Sequence, residues 1–281
     1  MIKIDCLKIR EEMLQEAKQK VHTIKAKNGE VPCLAVIQVG DNQASTTYVN
    51  NKIKTCEEVG IKSEVFKLPN SSSFTDVKKV IKSCNKSDKC HAILLQLPLP
   101  EHLKSYEREL VNMIYSNKDV DGLTDNNIGK LWANENGIVP CTPQAILKCL
   151  ESVDLDGVNI CIINRSLLIG KPLMALLERS NATVTLCHSK TKNIEHQILD
   201  NDIIITAIGK PKYWDYRLFE DSIVIDVSIN RDENGKLCGD VNWDDCPNDF
   251  ECIYTAVPKG IGALVTSQLM LNTIKCYDLQ N

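Results

Sequence analysis

The sequence is short of net charge, of aromatic residues and of long apolar runs. Its 281 residues carry 33 Lys and Arg against 37 Asp and Glu, a formal charge of -4. That balance advertises no positive face for neutralising phosphates, so a nucleic-acid partner is not expected. Apolar stretches such as 92–95 and 203–205 fall far short of the ~18–20 residues a bilayer requires, so no membrane partner is expected either. The opening Met1-Ile-Lys-Ile-Asp-Cys6 carries charge and runs into a helical pattern, which does not read as a signal peptide. No Cys-x-x-Cys pair occurs among the 13 cysteines. The odd count, and positions such as Cys161 within Asn159-Ile-Cys-Ile-Ile163, read as free buried thiols in a reducing compartment rather than as bridges or zinc ligands. A cytoplasmic location follows as the expectation. Disorder is excluded by a hydrophobic content of 43% with little net charge.

A prior of roughly 150 residues per domain suggests about two domains. Ile9, Met13, Ala17, Val21 and Ile24 recur at helical spacing over residues 7–27, and Asn28-Gly29 ends that helix. The run Cys33-Leu-Ala-Val-Ile-Gln-Val39 reads as a strand buried on both faces. A helix over 45–59, a strand over 61–68, a helix through Asn85 and a strand over 91–97 follow, an α/β rhythm. Residues 132–142 lack periodicity, and the domain crossing is placed there. Beyond it a helix is expected to begin at Thr142 with Pro143 in its first position. Strands over 159–163, 182–186, 202–207 and 222–226, a helix over 171–179 and a last helix over 267–281 complete the pattern. The expected class is two-domain α/β, the second domain a Rossmann-like doubly wound sheet. Residues 1–139 with 266–281 are expected to form the first domain and 140–265 the second.

In the second half, the strand at Ile160-Cys-Ile-Ile163 runs into a turn and then a helix opening near Gly170 and Pro172. A helix N-terminus after such a strand presents free N–H groups and a positive dipole end to a pyrophosphate. The Gly-x-Gly-x-x-Gly pattern is absent, but Arg165 and Ser166 in the turn are candidate phosphate ligands. About 20 residues on, where an NAD enzyme commonly shows Asp or Glu, this chain has Cys187-His-Ser189. Ser189 with Arg165 favours a 2′-phosphate and therefore NADP.

In the first half, Tyr48-Val-Asn-Asn-Lys52 puts a ring and an amine at i and i+4 on one helix face. Leu94-Leu-Gln96-Leu-Pro98-Leu-Pro100 fixes an amide at a strand end, and Lys118-Asp-Val-Asp121-Gly122 supplies a carboxylate on a turn. Each is unremarkable alone. In this order, with Pro140-Cys-Thr-Pro143, Arg165-Ser-x-x-Ile-Gly-x-Pro172, Cys187-His-Ser-x-Thr191 and Gly239-Asp-Val241, they closely resemble the methylenetetrahydrofolate dehydrogenase/methenyltetrahydrofolate cyclohydrolase family. The resemblance runs nearly end to end, to Leu271-Asn-Thr273.

The resemblance implies a bifunctional enzyme of one-carbon metabolism. It would oxidise methylene-tetrahydrofolate with NADP, hydrolyse the methenyl product to formyl-tetrahydrofolate and so serve purine biosynthesis. It implies Lys52 as the central catalytic group, Gln96 as its hydrogen-bonding partner, Tyr48 as the pterin-stacking residue and Asp121 as the anchor for pterin nitrogens. Tetrahydrofolate derivatives would also meet Pro258, Lys259, Gly260 and Ile261, and NADP would meet Asn164, Arg165, Ser166, Ser189 and Ile229. A homodimer, and a last helix returning to the first domain, are implied as well. Three glycines of the family pattern are replaced, by Asn164, Ser228 and Lys259. A side chain at such a position can block a positive-φ backbone, so two alternatives stand beside the bifunctional reading. One is a cyclohydrolase with weak or lost dehydrogenase activity; the other is a folate- or nucleotide-sensing module without enzyme activity.

Overall fold

The computed structural model describes residues 1–281, the side chain of Ala44 apart. The chain forms two compact units, Met1–Glu11 with Thr142–Val265 and Glu12–Cys141 with Thr266–Asn281. The sequence reading placed the first eleven residues with the other segment. They belong where they do because Ile2–Lys3 adds a short parallel strand beside Cys252–Tyr254, a pairing of residues some two hundred and fifty positions apart that no local pattern reveals.

The unit carrying Glu12–Cys141 is built on a parallel three-stranded sheet in the order Lys62–Leu68, Cys33–Val39, Ala92–Leu95. The central strand is buried on both faces from Leu34 to Val39. The helix Gln43–Val59 begins because the Asn42 side chain accepts a hydrogen bond from the Ser45 amide at 3.1 Å, and it ends at Gly60 in the left-handed conformation. Ser73 and Asp76 form a reciprocal capping box that starts the helix Phe74–Lys86. Ala35, Ile37, Ile81, Ile93 and Leu110 make up the heart of this core.

The other unit holds a six-stranded parallel sheet in the order Ile2–Lys3, Cys252–Tyr254, Ser222–Asp226, Ile203–Thr206, Asn159–Ile163, Thr183–Cys187. This is the doubly wound, Rossmann-like class expected from the strand–helix rhythm. Cys161, Ile163, Ile204, Phe219 and Val224 pack in its core. All 13 cysteines are unbridged. Among the described residues no helix is long and apolar enough to cross a membrane.

Most expected boundaries shift by no more than two residues, as at the helix Gln43–Val59 and the strand Ala92–Leu95, and the strand Cys252–Tyr254 was not expected at all. The helix after the crossing is Cys141–Cys149, so Pro143 sits in its third position rather than its first, still within the turn whose amides have no partner inside the helix. The last helix is Ile261–Asp278, starting six residues earlier than expected. Its opening Ile261-Gly-Ala-Leu-Val265 follows Gly260 and contains Gly262, and two glycines so close weaken the helical signal at that end.

Candidate active site

Three chain segments meet at one end of the three-stranded sheet. The helix following the central strand carries Tyr48 and Lys52 on one face. The neighbouring strand ends at Leu95, and Gln96 is held just beyond it by its amide, which donates to the Ile37 carbonyl at 2.9 Å. The third segment runs alongside that strand: Ile93 donates to the Lys118 carbonyl at 2.7 Å and bridges in parallel to Asp119. Asp121 follows directly, in a turn that needs Gly122 (φ 65), because a Cβ there would lie 2.6 Å from the Ile138 carbonyl oxygen.

The side chains then meet. Lys52 Nζ donates to Gln96 Oε1 at 2.9 Å, and Gln96 Nε2 donates to the Leu97 carbonyl at 2.6 Å. The bond to Leu97 sets which way the amide faces, so that Gln96 turns its uncharged oxygen to the amine. Burial pushes the Asp121 carboxyl up to about 6; the Lys52 ammonium pulls it back and the Asp119 carboxylate pushes it further. Tyr48 is half exposed, its ring free to form a wall.

The Asp121 loop is pinned by residues that sequence reasoning missed. Asp119 accepts from the Thr124 amide at 2.8 Å and from Asn127 Nδ2 at 2.9 Å. Asn272, from the last helix, donates to the Val120 and Val139 carbonyls at 2.9 Å each and lies 3.4 Å from Cys141 Sγ. In the sequence Asn272 stands only within the motif Leu271-Asn-Thr273, and these three partners lie more than a hundred residues away.

The sheet of the other unit carries a cavity of about 400 Å³, lined among others by Asn164, Arg165, His188, Ser189, Thr191 and Lys210. Asn164 closes the turn before the helix Gly170–Glu178. Its Oδ1 accepts from the Ser166 amide and hydroxyl at 2.8 Å each and from the Gly170 amide at 3.2 Å, while its Nδ2 donates to the Ala207 carbonyl at 2.7 Å. The turn is so tight that a Cβ on Gly170 would lie 1.9 Å from the Asn164 carbonyl oxygen. Arg165 and Ser189 are exposed at the cavity, and Lys210 Nζ lies 4.4 Å from the centroid of the Tyr213 ring. Two cations, Arg165 and Lys210, and the hydroxyls of Ser189 and Thr191 suit phosphate groups, and no carboxylate stands among the described lining residues. The donor set therefore fits NADP. His188, Thr191 and Lys210 were not among the residues picked from sequence. For His188 and Thr191 the available signal was the motif Cys187-His-Ser-x-Thr191, in which the His188 amide donates to Thr191 Oγ1 at 2.9 Å.

The remaining residues singled out in the sequence lie in this same unit. Pro258 and Lys259 are exposed, whereas Gly260 and Ile261 are buried. Ile229 is half exposed and packs so closely on Gly262 that a Cβ there would lie 2.6 Å from its Cδ1. Of the three residues replacing glycines, Lys259 has a positive φ (75), and Asn164 and Ser228 do not.

Comparison with known proteins agrees with this geometry. Residues 4–121 match the family model of the tetrahydrofolate dehydrogenase/cyclohydrolase catalytic domain, and residues 140–281 match its NAD(P)-binding domain. The bifunctional protein FolD of Campylobacter hominis is 42% identical over 271 residues, covering 95% of this chain and 93% of its own. That of Agathobacter rectalis is 40% identical, with 97% of each chain covered. The crystal structure of the FolD methylenetetrahydrofolate dehydrogenase/cyclohydrolase from Campylobacter jejuni superimposes with a TM-score of 0.94 at 37% identity over 100% of both chains. The Trypanosoma brucei enzyme, solved with NADP cofactor and inhibitor, gives 0.91 at 28% identity, covering 100% of this chain and 98% of its own. With its motifs, both domain matches and its fold in agreement, the chain belongs to the tetrahydrofolate dehydrogenase/cyclohydrolase family.

Proposed function

We propose that the protein oxidises methylene-tetrahydrofolate to methenyl-tetrahydrofolate with NADP and hydrolyses that product to formyl-tetrahydrofolate. The observation that carries this reading is the Lys52–Gln96 hydrogen bond of 2.9 Å beside the perturbed Asp121 carboxyl. Hydrolysis of a methenyl bridge requires a proton to leave an attacking water and a proton to reach the departing ring nitrogen. Lys52 is the group that moves both. The neutral Gln96 amide orients the amine through its oxygen, so that Lys52 is positioned for both proton transfers. Asp121 anchors the polar nitrogens of the pterin, and Tyr48 offers its ring face to the pterin plane.

NADP, when bound, accepts the hydride released in the oxidation. For that step the chain's own residues bind and orient: Asn164 and Ser166 shape the turn, while Arg165 and Ser189 hold phosphate groups. Ile229 and the segment Pro258, Lys259, Gly260 and Ile261 line the path of the ligands, the last two through their backbone. Residues 12–141 with 266–281 carry the folate chemistry, and 142–265 carry the nucleotide. The same reading extends to a homodimeric, cytoplasmic enzyme whose formyl product feeds purine biosynthesis; size-exclusion chromatography with light scattering checks the dimer.

A paired assay tests the function. One arm follows NADP reduction with methylene-tetrahydrofolate, and the other follows loss of methenyl-tetrahydrofolate absorbance. Both activities are expected, and both are lost in Lys52→Ala. Hydrolysis without hydride transfer would identify a cyclohydrolase, and neither activity in the wild type would overturn the enzyme assignment.

A further inference from the structure

Asp240 is fully buried, and its carboxylate accepts five hydrogen bonds, all from neutral donors. Oδ2 accepts from Thr206 Oγ1 at 3.0 Å, the Ile208 amide at 2.8 Å and Ser228 Oγ at 2.7 Å. Oδ1 accepts from the Lys210 amide at 2.9 Å and Asn230 Nδ2 at 3.0 Å. Ser228 Oγ, in turn, accepts from the Gly209 amide at 3.0 Å. The donors come from Thr206 at the end of the strand Ile203–Thr206 and from the segments that follow it and the adjacent strand Ser222–Asp226. Ile208 and Lys210 line the 400 Å³ cavity, as does Trp214, whose indole N–H donates to Thr206 Oγ1 at 3.1 Å.

We propose that Asp240 is a positioning residue for NADP binding, setting the 207–210 loop against the 228–230 loop, and that Ser228 joins the two. The hydroxyl that replaces a family glycine thus works as a strut. The inference rests on the proposed NADP-dependent function.

The argument turns on geometry. In Asp240→Asn, one carboxylate oxygen becomes an NH₂. Placed at the Oδ1 side it confronts the Lys210 amide, and flipped to the Oδ2 side it confronts the Ile208 amide. Hydroxyls can rotate away from a new donor, but backbone amides cannot. Either orientation leaves a cavity-lining N–H unpaired, which weakens binding by about tenfold or more. Ser228→Ala removes one acceptor from Gly209 and one donor from Asp240, and about three- to tenfold is expected.

The test titrates NADP into each variant by tryptophan fluorescence, with methenyl-tetrahydrofolate hydrolysis as the control for folding. Support is a raised Kd and a raised KM for NADP in both variants, with kcat and hydrolysis within about twofold of wild type. Unchanged NADP affinity in both variants overturns the proposal, as does hydrolysis that falls in parallel with binding in Ser228→Ala. If Asp240→Asn does not fold, Ser228→Ala decides alone. A wild type that binds NADP but does not reduce it would count against the function and leave the positioning role standing on the fluorescence.

Discussion

The two units solve the same problem, holding a reactive group at the end of a parallel sheet, by different means. On the folate side the groups themselves are the framework: Lys52 bonds directly to Gln96, and Asp121 is set by the sheet-like pairing of 118–120 and by Gly122. On the nucleotide side Arg165, Ser189 and Lys210 are exposed at the cavity, and they are held by polar side chains that bond to loop backbone. Asn164 ties the turn before Gly170, and Asp240 with Ser228 ties the loops at 207–210 and 228–230. The lesson is that glycine at a tight loop can be replaced where the new side chain takes over a backbone hydrogen bond. Two of the three replaced glycines do this, so the substitutions that suggested a disabled dehydrogenase are part of the scaffold.

If the two sides are this separate, the largest effect should be confined to one of them. Lys52→Ala should lower hydrolysis by about a thousandfold, since a positioned proton-transfer group contributes 10²–10⁴, while NADP affinity by tryptophan fluorescence stays at the wild-type value. A parallel loss of nucleotide binding would break the comparison. On the other side, Arg165→Ala should raise KM for NADP by about tenfold, the worth of one charge-assisted contact, with KM for NAD far less affected and hydrolysis unchanged. An equal loss for NAD and NADP would remove Arg165 from the 2′-phosphate.

The buried carboxylates sharpen the contrast through pH. Burial pushes Asp226 up to about 7; the Val241 and Ser228 amides lower it and the Asp240 carboxylate raises it. A carboxyl raised in the folded state from an unfolded value near 3.8 is favourable to folding while both states are protonated. As pH climbs through that window the unfolded chain ionises first, and stability falls until Asp226 itself ionises near 7. Asp226→Asn lacks this titration. In urea melts the difference in stability, variant minus wild type, should therefore move toward the variant by a few kcal/mol between pH 4 and 8, at about 1.4 kcal/mol per pKa unit. A difference that is flat across that range would show that Asp226 ionises as freely folded as unfolded.

Legibility in the sequence followed the same division. Tyr48 and Lys52 share one helix turn, Gln96 ends one strand and Asp121 sits in one turn; each is a local motif unremarkable alone, and it was their order along the chain, through the family resemblance, that singled them out, while the buried strands announced the α/β class. The polar framework was not legible. Asp240 gathers donors from 206 to 230, and Asn272 reaches Val120 across 152 positions. Neither sequence spacing nor hydrophobic period encodes such pairings. For the same reason Ile2–Lys3, a two-residue edge strand, carried no signal of the unit it joins.

Lys259 is the replaced glycine that breaks the rule, and it yields the smallest predicted effect. Its backbone has φ 75, in the left-handed region, where an L side chain costs roughly 1–2 kcal/mol. Unlike Asn164 and Ser228, it is exposed, so little packing offsets the strain. Lys259→Gly should relieve that strain but also frees the unfolded chain, which returns about 0.5–1 kcal/mol. The net gain should be about 0.5–1 kcal/mol, a rise in Tm of roughly 1–4 °C for a chain of this size. If Tm rises and both activities hold, Lys259 is a tolerated replacement. If Tm rises while KM for a folate substrate also rises, its ammonium meets the anionic end of the ligand, and the strain is kept for that contact. A fall in Tm would mean that the lysine contributes more to the fold than its exposed, left-handed position suggests.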